Sequence, residues 1–476
     1  MGEKLVTKTR PAGLPPTRLI LPAFVFGLGL VGLFLLPGYL LYAGSAALWY
    51  GLVGLGLFLP MAVLRELPLH GAALTGLSAY LFAFVAADGG VESWVLGAAV
   101  AIGATVFASL LTGLASLVVT GLYFAVGSLV VQVFIEKVVF SVGELTGGAA
   151  GRGVDQPDLT GWFNTNRAVF FITGVICLVV SVVVWYVKRT RFVPDWVMAG
   201  HEPEGADSVG IRRWTQKLVV FGLSGLLIGI AGCLAAFVNG TPPPVPQFGV
   251  IWSVILIAIP LASGMRTVSA VWFVAACFTA IPILLESHRI NPHFLSGAIL
   301  LAALLIAQVQ VVVMDRVRRE RQAQEPVATP AAPPAVSLAR LAARGRPAER
   351  ASASDANRPS QVLAGTGIRV LLGGVRAVDG VDVRVAPGQR LAIVGANGAG
   401  KTTLLNALCG FVPLTGGRVT LGDVDITGLP AFQRARAGIG RTFQLPRVAD
   451  VLTVRQSVMC GYPPVAHLGE RIEWLM

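Results

Sequence analysis

Charge is what this sequence has least of. Asp, Glu, Lys and Arg make up 13% of its 476 residues, against about 25% in an average soluble domain. Four stretches, Leu19 to Leu64, Ser93 to Ile135, Leu218 to Met265 and Ile290 to Met314, contain none of them. That scarcity excludes a wholly soluble chain, because apolar runs longer than about 20 residues read as bilayer spans and the longest as pairs of spans. Cysteine is scarce too. There are five, with no CxxC spacing, so neither a disulfide framework nor a zinc site is implied. Cys177, Cys233 and Cys277 lie inside apolar runs, and Cys409 and Cys460 in the more polar C-terminal part; all five read as small apolar side chains. A guanine-reading N-K-x-D motif is absent, which speaks against a GTPase-coupled channel. The formal charge of +12 has no aromatic-interleaved basic face behind it. Its Lys and Arg residues sit at the ends of apolar runs or in a linker, which speaks against a nucleic-acid partner.

What the chain does have is a long series of apolar segments. They predict about ten spans, near 19–36, 39–64, 67–87, 93–112, 119–140, 168–187, 217–238, 250–265, 267–285 and 293–314, preceded by a basic stretch over residues 1–18. The first run is too long for a cleavable signal and is expected to stay. Basic residues gather before the first span, at Arg65, at Lys188 to Arg191, at Arg212 to Lys217, at Arg266 and from Arg316 on. With ten spans these fall on one side, which places both termini in the cytoplasm; Arg152, Arg167 and Arg289 are the exceptions. Residues 19–315 thus read as a membrane domain. Residues 316–361, rich in Ala, Pro, Ser and Arg with no apolar periodicity, read as a disordered linker. From 362 to 476 short Val-rich segments and Gly-rich turns predict a soluble α/β domain.

That last part carries the clearest chemistry. Arg390 to Val394 reads as a short buried strand, GANGAGKTT follows at 395–403, and a helix is expected from about Thr402 to Leu408. Gly395, Gly398 and Gly400 let the backbone curl so that successive N–H groups converge on a phosphate, with Asn397 and Ala399 between them. Lys401 would reach the β- and γ-phosphates, Thr402 would give its hydroxyl to Mg²⁺, and Thr403 would complete the helix start, so ATP and Mg²⁺ are the expected ligands. Gly373-Gly374 carries no weight alone, and LTGG at 414–417 reads as a turn between strands.

Two stretches, GGVRAVDGVDVRVAPGQRLAIVGANGAGKTTLLNALCGF and DITGLPAFQRARAGIGRTFQLPRVADVLTV, resemble the ATP-binding subunits of Liv-type branched-chain amino acid importers of the ABC class. The resemblance covers about residues 370–456 and implies that Gln444 is the Q-loop glutamine, a further ligand of Mg²⁺ or the attacking water. Leu372 stands where the family has an aromatic ring against adenine. The family's signature motif, Walker B carboxylates and switch histidine follow the Q-loop. No stretch between Gln444 and Met476 matches them, and Asp450, Glu470 and Glu473 lack a preceding apolar strand. The expectation is a partial nucleotide-binding domain that holds ATP without hydrolysing it alone.

Over roughly residues 65–285 the chain resembles a permease subunit of the same importers, through RELPLHGAALTGLSAY, GLYFAV, LTGGAAG and TRFVPDWVMAGHEPEGADSVGI. Glu66, Pro68 and the order His70-Gly71 depart from the family pattern. The small-residue segment from Pro68 is what a broken helix beside a midplane site would have, making His70, Gly71 and Thr75 candidates for the substrate path; a structural histidine bonded to neighbouring helices is the competing reading. Glu204, Ala206 and Gly210 resemble the coupling motif that docks on the ATPase, in a helix shortened by Pro203 and Gly205. An ordinary basic loop remains the alternative.

Together these imply a polytopic α-helical permease fused to a partial P-loop ABC ATPase domain in a bacterial plasma membrane, importing branched-chain or related small amino acids. The implied partners are a second permease, a complete ABC ATPase and an extracytoplasmic amino-acid-binding protein. A membrane-anchored nucleotide-binding regulator, or an importer of urea or short amides, stays open.

Overall fold

The computed structural model describes residues 37–87, 90–147, 152–154, 156, 165–188, 190, 192–264, 268–285, 305, 361–443, 447, 449 and 451–461. The chain divides into two compact units, one of residues 1–196 and 214–310, the other of 197–213 and 311–476.

The first unit is helical. Its elements are α1 (Gly38–Leu64), α2 (Gly71–Ala86), α3 (Val91–Ala115), α4 (Leu122–Phe134) continued by a π-helical turn Ile135–Val139, α5 (Gly143–Thr146) and α6 (Thr165–Val187). α7 (Phe192–His201) leads into the second unit, and after it come α9 (Arg213–Asn239), α10 (Val250–Ala262) and α11 (Val268–Leu285), with α8 (Pro203–Ser208) in the intervening segment. Among the described residues five helices, over Gly38–Leu64, Val91–Ala115, Leu122–Val139, Thr165–Val187 and Arg213–Asn239, are long and apolar enough to cross a membrane. Three shorter apolar helices fall on three further expected spans. The span expected at 19–36 and, apart from Leu305, the one at 293–314 lie outside the described residues.

Small residues and serine hydroxyls bring these helices together, as they must where lipid offers no hydrophobic gradient between helices. A Cβ on Gly232 of α9 would run into the Thr75 carbonyl of α2, and one on Gly56 of α1 would meet Ile228 at 2.6 Å. Ser78 donates to the Gly229 carbonyl, Ser109 to that of Phe221 and Ser224 to that of Gly56, each at 2.6 Å.

α2 starts three residues later than the Pro68 boundary expected from sequence. α1 closes on Arg65, whose left-handed conformation (φ 57, ψ 31) lets the amides of Arg65 and Glu66 both reach the Pro60 carbonyl. The chain then runs through Pro68 without helix, because the proline ring disfavours helical dihedrals in the residue before it. His70 is the N-cap of α2.

In the second unit, β1 (Leu363–Leu372), β2 (Val375–Val385), β3 (Gly416–Leu421) and β4 (Val424–Asp425) form one sheet in the order β2-β1-β3-β4, with every pairing antiparallel. Gly373 and Gly374 (φ 55 and 86) make the two-residue β1–β2 turn, which needs positive φ at both positions. α12 (Lys401–Cys409) lays Leu404, Ala407 and Leu408 on Ile368, Val370, Val378 and Val419 of the sheet. α13 (Ala431–Arg436) and α14 (Val454–Cys460) follow.

One expectation fails here. Arg390 to Val394 is not a strand, and Val394 is 87% exposed. A strand apolar on both faces is stable only with neighbours to hydrogen-bond and cover it, and no described strand pairs with this one. LTGG also behaves differently from a simple turn: Leu414 and Thr415 form the approach, and Gly416-Gly417 open β3.

Candidate functional site: a phosphate loop and a docked segment

Residues 395–400 form an open loop that ends on Gly400 as the N-cap of α12. Gly398 and Gly400 have φ of 84 and 81, and a Cβ at Gly400 would collide with the Ala377 carbonyl of β2. No other residue type fits there without moving β2. Ala399 closes a turn onto the Ala396 carbonyl at 3.2 Å, and Leu404 N–H returns to the Gly400 carbonyl at 2.8 Å. The amides of Gly398, Gly400, Lys401, Thr402 and Thr403 bond to no backbone carbonyl among the described residues. These are the orphan donors of a helix N-terminus, an anion site by their partial charge.

Lys401 folds its ammonium over the loop, donating to the carbonyls of Gly395 at 2.8 Å and Ala396 at 2.7 Å. Asn397 and Thr402 are exposed beside it. Open amides, one cation and a free hydroxyl fit a nucleotide phosphate with its magnesium ion. Gln444 lies outside the described residues, between Phe443 and Arg447, which are described. Leu372 is 45% exposed at the β1–β2 turn, opposite Val375, an aliphatic surface with no ring to stack on a base.

The loop's helix is fixed from behind by a residue that sequence reasoning missed. Arg434 of α13 is 2% exposed, the largest fully buried side chain among the described residues. Its guanidinium donates to the carbonyls of Ala407, Leu408, Thr427 and Leu429, each at 2.8 Å. A cation is favoured at the C-terminus of α12 by the helix dipole. Its place in AFQRAR, on a short helix with Arg436, gave no sign of which arginine turns inward.

Residues 197–213 belong to this unit. Ala206 is fully buried, and Gly205 lies so close to the Arg447 carbonyl that a Cβ would stand 2.5 Å from it. Glu204 pairs with Arg447 at 3.2 Å and Glu202 at 3.7 Å, while Arg436 donates to the Gly210 carbonyl at 2.8 Å. The charge pairs are exposed and worth little; close backbone approach at Gly205 and Gly210 fixes the seat. Burial pushes the Asp207 carboxyl above its usual range, and its partner Arg213 at 2.9 Å offsets part of that. A cavity of about 340 Å³ beside the seat is lined by Met198, Ser208, Arg441, Phe443 and Ser457 among others. Gly205→Val is expected to lose about 1–3 kcal/mol of this packing by overfilling it. Protease cleavage within 197–213 of the full chain should accelerate; an unchanged rate would contradict the seat.

In the helical unit, His70, Gly71 and Thr75 are all buried at the start of α2. His70 Nε2 lies 3.4 Å from Thr112 Oγ1, its Nδ1 has no partner among the described residues, and Thr75 donates to the Gly71 carbonyl at 2.8 Å. The amides at this helix start are taken by side chains of α4 and α10: Ser128 accepts from Leu69, Ser253 from Ala72 and Gln132 from Ala73. Gln132 also accepts from Ser253 and donates to the Phe248 carbonyl. One turn on, Glu136 in the π-helical turn accepts from Val250, the first residue of α10. None of these partners was singled out from the sequence. The available signal was Gln132 itself, the single amide side chain in the charge-free stretch from Ser93 to Ile135.

A bundle of membrane-length helices on the same chain as a phosphate loop defines a membrane protein with a nucleotide-binding part. Residues 39–307 match the family described as branched-chain amino acid transport system / permease component, and residues 378–476 match the ABC transporter family. The first match covers more than half of the 476 residues, and the chain belongs to that permease family. Among curated relatives, the high-affinity branched-chain amino acid transport ATP-binding proteins LivG of Escherichia coli and BraF of Pseudomonas aeruginosa are each 40% identical over 98 residues, 21% of this chain and 38% of theirs. The ribose import ATP-binding protein RbsA 1 of Agrobacterium fabrum is 33% identical over 121 residues, 25% of this chain and 24% of its own. The chain thus spans well under half the length of these relatives.

Proposed function

We propose that this chain is the permease of an ATP-driven importer, carrying its own nucleotide-binding part, and that it moves branched-chain or related small amino acids inward across the bacterial plasma membrane. The observation that carries the reading is the docked segment: residues 197–213 of the family-matched permease region pack within the unit that holds the phosphate loop. A permease loop seated on a nucleotide-binding unit is what coupling of ATP to transport requires, with Glu204, Ala206 and Gly210 at the seat. In this reading Gly395 to Thr403 would hold ATP, and Thr402 and Gln444 would hold its Mg²⁺. The ATP supplies the driving free energy; the residues of this chain bind it, orient it and report its presence.

The substrate class follows that of the ATP-binding relatives and of the permease family. A second permease, a complete ABC ATPase and an extracytoplasmic binding protein complete the assembly in this reading. Ten spans with both termini cytoplasmic agree with the distribution of Lys and Arg. The test is uptake of labelled leucine, with urea as comparison, by proteoliposomes holding the chain and these partners. ATP-dependent leucine accumulation is expected; accumulation of neither solute would refute transport.

A further inference from the structure

In the helical unit a buried carboxylate and a partly buried ammonium lie outside the groups around the phosphate loop and the start of α2. Glu66 is 3% exposed and Lys217 12% exposed, and the Lys217 ammonium donates to Glu66 Oε1 at 2.5 Å. The same ammonium donates to the Ser116 carbonyl at 2.7 Å. Ser116 is the C-cap of α3, where backbone carbonyls lack intrahelical donors and a cation is favoured. One lysine therefore ties three elements: the break between α1 and α2, the end of α3 and the first turns of α9.

Stability alone does not account for this arrangement. A buried ion pair gives up about as much hydration as its attraction returns, and well-packed apolar residues do the same work as well or better. Glu66 Oε2 has no hydrogen-bond partner among the described residues, so even the carboxylate is incompletely compensated. Beside it, Arg65 is the sole non-glycine residue with positive φ among the described residues. That conformation is disfavoured for an L-residue, and such strain persists where the surroundings hold the backbone in place.

The position of the pair along the chain shows what it can do. Lys217 lies one helical turn beyond Arg213, the last residue of the segment 197–213 that packs within the nucleotide-binding unit. α9 is continuous from Arg213 to Asn239, so a shift or rotation of its first turn carries Lys217 with it. On the other side Glu66 precedes His70, the N-cap of α2, by four residues, and His70 in turn meets Thr112, one turn before Ser116 on α3.

We propose that Glu66 and Lys217 are a positioning pair that transmits the nucleotide state of the phosphate-loop unit, through the start of α9, to the first turn of α2. The proposal deepens the importer reading and rests on it for its biological purpose, but the linkage itself is measurable without transport.

The test uses the full chain with Leu69→Cys beside the break, its alkylation rate read by peptide mass spectrometry with and without Mg-ATP. In this parent, Mg-ATP is expected to change the rate by about five-fold or more, the lower range of coupling between sites. Glu66→Gln and Lys217→Gln should each remove the response while Mg-ATP affinity stays within about two-fold, and Lys217→Arg, which keeps the charge, should retain it. A merely structural pair would lower the melting temperature without separating binding from response. The double variant Glu66→Gln with Lys217→Met leaves no unpaired buried charge, which guards against misfolding of the single variants; it too should bind Mg-ATP and not respond. A parent that does not respond to Mg-ATP, or a double variant that responds as the parent does, overturns the proposal. Leucine uptake by proteoliposomes holding the same parent with its second permease, complete ATPase and binding protein separates the two readings: an intact response without uptake sinks transport and leaves the pair's role standing.

Discussion

Lys401→Ala is expected to weaken Mg-ATP binding by about 10- to 150-fold, the range set by losing hydrogen bonds to a charged group worth about 1.5–3 kcal/mol. The Lys401 ammonium folds over the loop, held by the carbonyls of Gly395 and Ala396. Removing it leaves the orphan amides of Gly398, Gly400, Lys401, Thr402 and Thr403 as the remaining attraction for a polyanion, and strips the Gly395 and Ala396 carbonyls at the loop of their cationic donor. Both changes act in the same direction. Fold should survive, since Lys401 is partly exposed and makes no apolar contact on which the sheet depends. Isothermal titration of the full chain in detergent with Mg-ATP measures the loss directly. Affinity within about three-fold of the unchanged chain would show that the backbone cradle alone carries the phosphates. Glycine replacements offer no such clean separation, because Gly400→Ala would press on the Ala377 carbonyl and disturb the sheet as well.

Arg434→Ala is expected to cost the nucleotide-binding unit about 3–5 kcal/mol, the penalty for breaking a buried charged network and stranding its partners. Four carbonyls, from the end of α12 and from Thr427 and Leu429, lose their donor together. Water cannot replace it without opening the contact between α13 and α12, since the side chain is 2% exposed. A loss of this size is a large part of the roughly 5–15 kcal/mol that stabilises a typical domain. The unit should therefore melt well before the helical one. Pulse proteolysis across a urea series, following fragments from 361 onward, reads that unit alone, and a shift corresponding to less than about 1 kcal/mol would contradict the network's importance. Arg434→Lys should recover little. One ammonium cannot span four acceptors that a planar fork reaches.

The parts of this protein that were legible in its sequence are the parts whose signal is local. The membrane helices could be placed to within a few residues because length and apolarity within one segment decide them: 39–64 against Gly38–Leu64, and 168–187 against Thr165–Val187. The phosphate loop was legible because three glycines, a lysine and a threonine at fixed spacing dictate the backbone path by themselves, and α12 begins where the loop requires. The short helix at Pro203 followed from proline and glycine alone, and it is six residues long.

What only the tertiary structure decided are the pairings between distant positions. Lys217 meets Glu66 across 151 residues, Gln132 meets Ala73 across 59, and Arg436 meets Gly210 across 226. In sequence, Glu66 and Lys217 are two of many charges near span ends, and nothing in the period of either helix says that one buried ammonium will serve both the carboxylate and the end of α3. The strand expected at 390–394 failed for the same reason in reverse: its apolar run satisfied the local rule, but a buried strand exists only by virtue of neighbours, and its own residues do not contain them. Local backbone preferences and the length of an apolar run are properties of a segment and can be read there. Ion pairs, caps and sheet partners are properties of two segments at once, and the free energy that selects them appears only when the chain has brought both to the same place.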